Sequence, residues 1–146
     1  MSTIKFFKTL TKNDTGETHS HQSGITIPKL VADSGIFPDL GVAILNPRVE
    51  ICFYDDDGNM WKFQYIYYND VYHGKPKKLA HDEHRLTCTK DYIRSNSIKS
   101  GDSIWFSIDE DGVRRIGFTK VEDDNNKQPE EITVIKLKSG WRCIKA

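Results

Sequence analysis

Two polar stretches hold the residues whose types and spacing suit chemistry. One is TKNDTGETHSHQSGITIPK at residues 11–29, dense in hydroxyl, amide, carboxylate and imidazole groups. The other is KKLAHDEHR at residues 77–85, where acids, imidazoles and cations alternate. A magnesium-dependent nuclease centre needs an acid and, downstream, an acid-x-Lys triplet that holds the ion and orients water. Asp39 can begin such a set, but Glu50 leads to Cys52 and Asp57 to Asn59, and no acid in residues 49–70 has Lys two places on. A zinc site needs paired Cys or His ligands. His19-x-His21 and His81-x-x-His84 with Cys88 lack a second pair at matching spacing, so no metal site is expected. Ser/His/Asp signatures and phosphate-cradling glycine loops are missing as well. The residues describe a binder with no catalytic residues and no cofactor.

The elements that must position these stretches are mostly strands. TIKFFKTL (3–10) alternates as a strand does, and 11–24 follows as a polar run. In GITIPKLVADSGIFP (24–38) a short strand leads into a short helix, entered near Pro28 and stopped near Gly35. RVEICFYDDDGNMWKFQYIYYND (48–70) is a hairpin turned at DDDG, with Val49, Ile51 and Phe53 alternating on one arm and Trp61, Phe63, Tyr65 and Tyr67 on the other. VYHGKPKKLAHDEHRLT (71–87) is polar and basic and ends like a strand, and KDYIRSNSIKSGD (90–102) suits a short helix stopped by Gly101. SIWFSIDEDGVRRIGFTK (103–120) is a second hairpin, 121–131 a loop, and 132–146 one or two strands. Short strands at this spacing predict a barrel or sandwich, in one domain over 1–146.

Composition narrows the setting. The chain has 146 residues, 29% of them charged, and zero formal net charge, so the total announces no polyanion binder. Charge is segregated, however. Lys75, Lys77, Lys78, Arg85 and Lys90 lie in 73–90, and Lys5, Lys8 and Lys12 near the start, while acids gather in YDDDG, IDEDG and VEDDNN. If those tips share one end of a barrel, the basic segments can form a face of opposite sign, although solvated loops would read the same way. Cys52, Cys88 and Cys143 sit among apolar or β-forming neighbours, as buried free thiols of a reducing compartment would. No stretch is long enough to span a membrane, and the N-terminus has no secretory core, so a cytoplasmic protein is expected.

NDTGETHSHQSGITIPK resembles the opening of the N-terminal DNA-recognition (effector-binding) domain of EcoRII-type restriction endonucleases. LNPRVEICFYDDDGNMWKFQYIYYND looks like the hairpin of that family, DEHRLT like its second arm and GDSIWF like the strand entry that follows. The likeness runs in order over roughly residues 8–120. Glu17, Thr18, His19 and Ser20 stand where the family often has glycines, and the second arm carries less arginine than is usual there. The resemblance implies a mainly β fold, a B3-like DNA-binding pseudobarrel of about seven strands with two short helices. It implies two arms that grip the major groove, an N-arm of about residues 12–22 and a C-arm of about 73–85. It also implies a prokaryotic restriction protein, with a catalytic nuclease domain elsewhere in the parent chain and double-stranded DNA carrying a short specific site as partner. Family members read sites such as CC(A/T)GG, and a site of that kind is the expectation here.

The residues suit that task. Arg85 can fork onto guanine, Asp82 or Glu83 can accept from cytosine N4, Asn13 or Gln22 can pair with adenine, and His21 can donate to a purine N7. Amides around Gly16, with the Thr15 and Thr18 hydroxyls, suit phosphate, as do Lys12, Lys75, Lys77 and Lys78. Asp14, Glu17, His19, Ser20, His81 and His84 complete the two arms. Plainer readings stay open: Asn13, Asp14 and Gly16 also make a good turn, and the whole chain also suits a β-barrel that binds protein or glycan.

Overall fold

A computed structural model describes residues 4–18, 24–76, 78–121, 133–137 and 139–145. In chain order these form β1 (Ile4–Thr9), α1 (Lys12–Thr15), β2 (Ile25–Ile27), α2 (Lys29–Ala32), β3 (Arg48–Tyr54) and β4 (Met60–Tyr68). A 3-10 turn (Asp70–Tyr72), β5 (Glu83–Thr87), α3 (Lys90–Ser95), β6 (Ser103–Ile108), β7 (Arg114–Thr119), β8 (Thr133–Lys136) and β9 (Trp141–Lys145) follow. One nine-stranded sheet runs in the order β2-β5-β4-β3-β7-β6-β1-β9-β8. It curls into an open barrel, and the Trp141 indole N–H on β9 donates to the Thr26 carbonyl on β2 at 3.1 Å, bridging the gap between the sheet's two ends. The mainly β pseudobarrel expected from the sequence is present. Among the described residues its strands number nine against about seven, and three short α-helices stand where two were expected.

Alternation builds the two hairpins. Ile51, Phe53, Phe63 and Tyr65 turn inward and are buried, with Phe106, Ile104, Ile116 and Trp141 arriving from the far side of the barrel. Phe53 lies edge-on to Phe106 at 5.3 Å between ring centroids, and Phe37 stacks on Tyr65 at 4.8 Å. The acidic tips are built alike. Asp55 Oδ1 accepts from the amides of Asp57 and Asn59, and Asp109 Oδ1 from those of Asp111 and Val113. Gly58 (φ +83°) and Gly112 (φ +80°) supply the left-handed residue each tip requires. β3 and β7 pair in parallel at Tyr54 and Arg115, so the two hairpins meet there and their tips point toward opposite ends of the sheet. The first arm leaves β1 beside Ser103, at the end of β6 away from the Asp109 tip, roughly 17 Å from it for six strand residues.

Some boundaries differ from expectation. α2 ends at Ala32, with Asp33 as its cap, three residues short of Gly35. α3 ends at Ser95, because Ser97 takes the left-handed conformation (φ +53°) and the Ile98 amide turns back to the Ile93 carbonyl at 3.0 Å. Gly101 serves the next turn, where its amide donates to Leu10. Of the three thiols expected to be buried, Cys143 is; Cys52 is half-buried and Cys88 exposed. Residues 122–131 of the acidic loop lie outside the described residues.

Candidate nucleic-acid interface

Both arms stand on one platform. The first arm enters β2 at Gly24 and the second enters β5 after Asp82, and β2 and β5 pair antiparallel, with Ile25 opposite Leu86, Thr26 opposite Arg85 and Ile27 opposite His84. Gly24 holds a φ of +139°, and a Cβ there would lie 2.8 Å from the Leu86 carbonyl oxygen. Only glycine lets the arm's foot come this close. Strand parity then sorts β5. Leu86 is fully buried, so His84 shares its inward side, stacked on Tyr67 at 4.1 Å and 6°. Burial holds the His84 imidazole below its ordinary pKa. Glu83 and Arg85 take the outer side. Arg85 Nη2 donates to Glu83 Oε1 at 3.1 Å, and the same oxygen accepts from the Thr26 hydroxyl at 3.1 Å. The Arg85 guanidinium is thus held at a fixed place between the two arms.

The first arm opens with a single helical turn. Thr11 caps α1: its hydroxyl accepts from the Asp14 amide, and the Asp14 carboxylate accepts from the Thr11 amide at 3.0 Å. Gly16, at φ +83°, ends the turn. Asp14 also pairs with Lys8 at 3.3 Å, with both side chains almost wholly buried, and Lys8 donates to the Ser139 carbonyl at 2.8 Å. Glu17 reaches across the fold to Ser100, accepting from its amide at 3.1 Å and its hydroxyl at 3.2 Å. That backbone bond is the main reason the Glu17 carboxyl sits below its usual range. Thr15 donates to the Lys12 carbonyl and Thr18 to Asn13 Oδ1. Lys12 is exposed.

The second arm is closed at its base by Asp70. This carboxylate is 6% exposed, and it accepts from the His81 amide, from His81 Nδ1 at 3.2 Å and from Lys75 Nζ at 3.2 Å. The His81 amide is the largest influence holding its carboxyl down to about 2. Tyr67 donates to Asp82 at 2.6 Å. Asn69, fully buried, donates through Nδ2 to the Gly41 and Ile44 carbonyls and exchanges bonds with Asn46, which steadies the neighbouring loop. His73 Nε2 meets the Val42 carbonyl at 2.9 Å. Lys75, Lys78 and His81 are exposed along the arm.

The structure therefore gathers Asn13, Asp14, Thr15, Gly16, Glu17 and Thr18 in one capped turn. It sets Glu83 and Arg85 on the platform, Asp82 at its edge and His84 toward the interior. His19, Ser20, His21, Gln22 and Lys77 lie outside the described residues. Sequence reasoning passed over Gly24, Thr26, Tyr67, Asp70 and Ser100. Parity with Leu86 was the available signal for His84, and parity with Ile25 and Ile27 for Thr26, whereas nothing local marks Ser100, 83 residues from Glu17. Among the described residues no three His, Cys, Asp or Glu side chains gather to hold a metal. No helix among them is long and apolar enough to cross a membrane. Chemically the site offers fixed donors and acceptors beside exposed cations.

Comparison with known proteins agrees with this geometry. The model of the family described as restriction endonuclease EcoRII, N-terminal, matches residues 1–95. Auxin response factor 2 of Oryza sativa subsp. japonica is 32% identical over 125 residues, 85% of this chain and 15% of that protein. Auxin response factor 5 of Arabidopsis thaliana is 30% identical over 128 residues, 87% of this chain and 12% of that protein. The chain thus spans well under a fifth of the curated relatives it matches. The solved Arabidopsis FUS3-DNA complex superposes with a TM-score of 0.59 at 22% identity, covering 78% of this chain and 94% of that one, and so shares the fold.

Proposed function

We propose, from the premise that this chain belongs to the family of restriction endonuclease EcoRII N-terminal domains, that it binds double-stranded DNA sequence-specifically, with two arms in the major groove. The observation that carries the reading is the β2–β5 platform, which joins the feet of both arms and holds Arg85 between them. A major groove about 12 Å wide exposes several base pairs at once, so a barrel that presents two loops from one platform reaches more edges than either loop alone. In this reading Arg85 takes a guanine, and Glu83 or Asp82 takes a cytosine amino group. The first arm, including Asn13, His21 and Gln22, reads neighbouring pairs, while Lys12, Lys75, Lys77 and Lys78 hold phosphates. The other arm residues, Asp14, Thr15, Gly16, Glu17, Thr18, His19, Ser20, His81 and His84, shape or line the grip.

The domain would then be a non-catalytic reader. A nuclease domain in the parent protein, a prokaryotic cytoplasmic setting and a CC(A/T)GG-like target are the finer form of the proposal, and they rest on the family resemblance alone. The plant auxin response factors among the relatives favour a second setting, the DNA-reading part of a regulator. The platform serves either. Selection of bound sites from a randomised duplex pool tests the proposal. A defined short consensus is expected, with log K falling against log[salt] at a slope of about −4 to −6 for roughly five to seven phosphate contacts. No enrichment together with a flat salt response would refute it and return the chain to a barrel that binds protein or glycan.

A further inference from the structure

We infer that Asp70 is the positioning residue of the second arm, fixing the arm's shape before DNA arrives; this rests on the DNA-reading proposal above. From Tyr72 to Leu79 every described residue is exposed, so the arm has no apolar core of its own to order it. What closes it is polar and lies at its base. Asp70 stands at one end of the arm and His81 at the other, eleven residues apart in sequence. The buried carboxylate takes the His81 amide and imidazole and also draws Lys75 back from within the loop. The Val71 amide adds a bond to the His81 carbonyl at 3.3 Å. Three donors converging from two points of the arm on one acceptor make a staple across the loop, in the manner of a compact surface loop whose ends are held together.

An arm ordered in advance loses less conformational freedom on binding, and it cannot reshape itself around a wrong sequence. A loose arm would keep its phosphate contacts and lose discrimination. The charge of Asp70 makes the idea separable from electrostatics. Removing a carboxylate near phosphates should strengthen binding to every duplex, whereas unfastening a reader should weaken binding to the matched one only.

The test uses the full chain with Asp70→Asn, which keeps the side chain's size and removes its charge. Three readings are taken: thermal melting, hydrogen exchange of the arm amides in free protein, and competition between matched and mismatched duplexes. Exchange at residues 72–81 should quicken by about tenfold while the barrel amides stay protected. Matched-site affinity should fall by about tenfold, with mismatched affinity unchanged or higher. Unchanged exchange would overturn the staple, and so would equal changes on both duplexes. If Asp70→Asn fails to fold, His81→Ala removes one donor and should move exchange and selectivity in the same direction by less, while Lys75→Met, which also removes a phosphate contact, is judged on exchange alone; no movement in exchange for either overturns the proposal. A wild type that shows no sequence preference would sink the DNA reading alone, because the exchange data still judge the staple.

Discussion

Replacing Gly24 by alanine tests whether the first arm is fastened where the structure places it. At φ +139° a side chain is strained, at about 1–3 kcal/mol for such a conformation. The new methyl would also lie 2.8 Å from the Leu86 carbonyl oxygen and 3.1 Å from Thr87 Cγ2. The carbonyl belongs to β5, which is paired to β2 on one side and β4 on the other, so it cannot retreat without opening a ladder. Crowding of this kind adds about 1–3 kcal/mol. Together the two costs come to about 2–6 kcal/mol, a fall in Tm of roughly 5–20 °C for a domain of this size. Gly16→Ala is the control. It too has a positive φ (+83°), but no atom lies within 4 Å of the position, so only the conformational cost of about 1–2 kcal/mol applies. Calorimetry on both variants gives the comparison, and competition binding well below Tm should show the Gly24 variant losing preference for its matched duplex. If the Gly24 variant melts within about 2 °C of wild type, or no lower than the Gly16 control, the arm is not seated on β5 as described.

Three further outcomes are expected. Arg85→Ala should cost about 1–3 kcal/mol on the selected site and relax one guanine, while Lys78→Ala weakens all duplexes alike; equal factors on every sequence for both variants would refute the division of roles. Asp14→Ala should lower stability by about 2–4 kcal/mol in denaturant unfolding, since it removes a helix cap and leaves the buried Lys8 ammonium without its carboxylate; a change below about 0.5 kcal/mol would show that the pair contributes little. Acid should act through Asp70. Its carboxyl is held at about 2 against an ordinary 3.8, so the stabilisation is complete above about pH 4 and disappears as pH falls through about 2. Melting temperatures of wild type should therefore drop more steeply than those of Asp70→Asn over that window, and parallel curves would contradict the assignment.

Legibility in the sequence followed the range of the interaction. The hairpins were readable because alternation and acidic glycine tips are local signals, and the structure keeps both: Phe53 faces Phe106 inside, and Asp55 and Asp109 build the tips. The single turn of α1 was missed although Thr11-x-x-Asp14 has the spacing of a capping box, because four residues give periodicity nothing to repeat. The count of about seven came from the resemblance, whereas the strand signals along the chain already sum to eight or nine; what they do not give is the pairing, such as Ile4 with Lys145. The roles of Glu17 and Asp70 were likewise invisible, one depending on Ser100 and the other on a loop that returns to its own start.

Under the DNA-reading proposal, those long-range contacts also account for how a chain of zero net charge could present a face to a polyanion. The acids of the two arms are engaged within the protein: Asp14 by Lys8 and the Thr11 amide, Glu17 by Ser100, Asp70 by His81 and Lys75, Asp82 by Tyr67, and Glu83 by Arg85 and Thr26. The acidic tip at Asp109 lies at the end of β6 away from Ser103, and β1 leads into the first arm from Thr9, opposite Ser103. Lys12 and Lys78 meanwhile stand exposed on the arms. A carboxylate that already accepts two or three hydrogen bonds is turned toward its donors and repels an approaching phosphate less than a free one would, whereas an exposed ammonium attracts it in full. The formal charge sums both kinds equally. The fold does not, and in the DNA-reading proposal a positive edge would come from where each acid finds its partner.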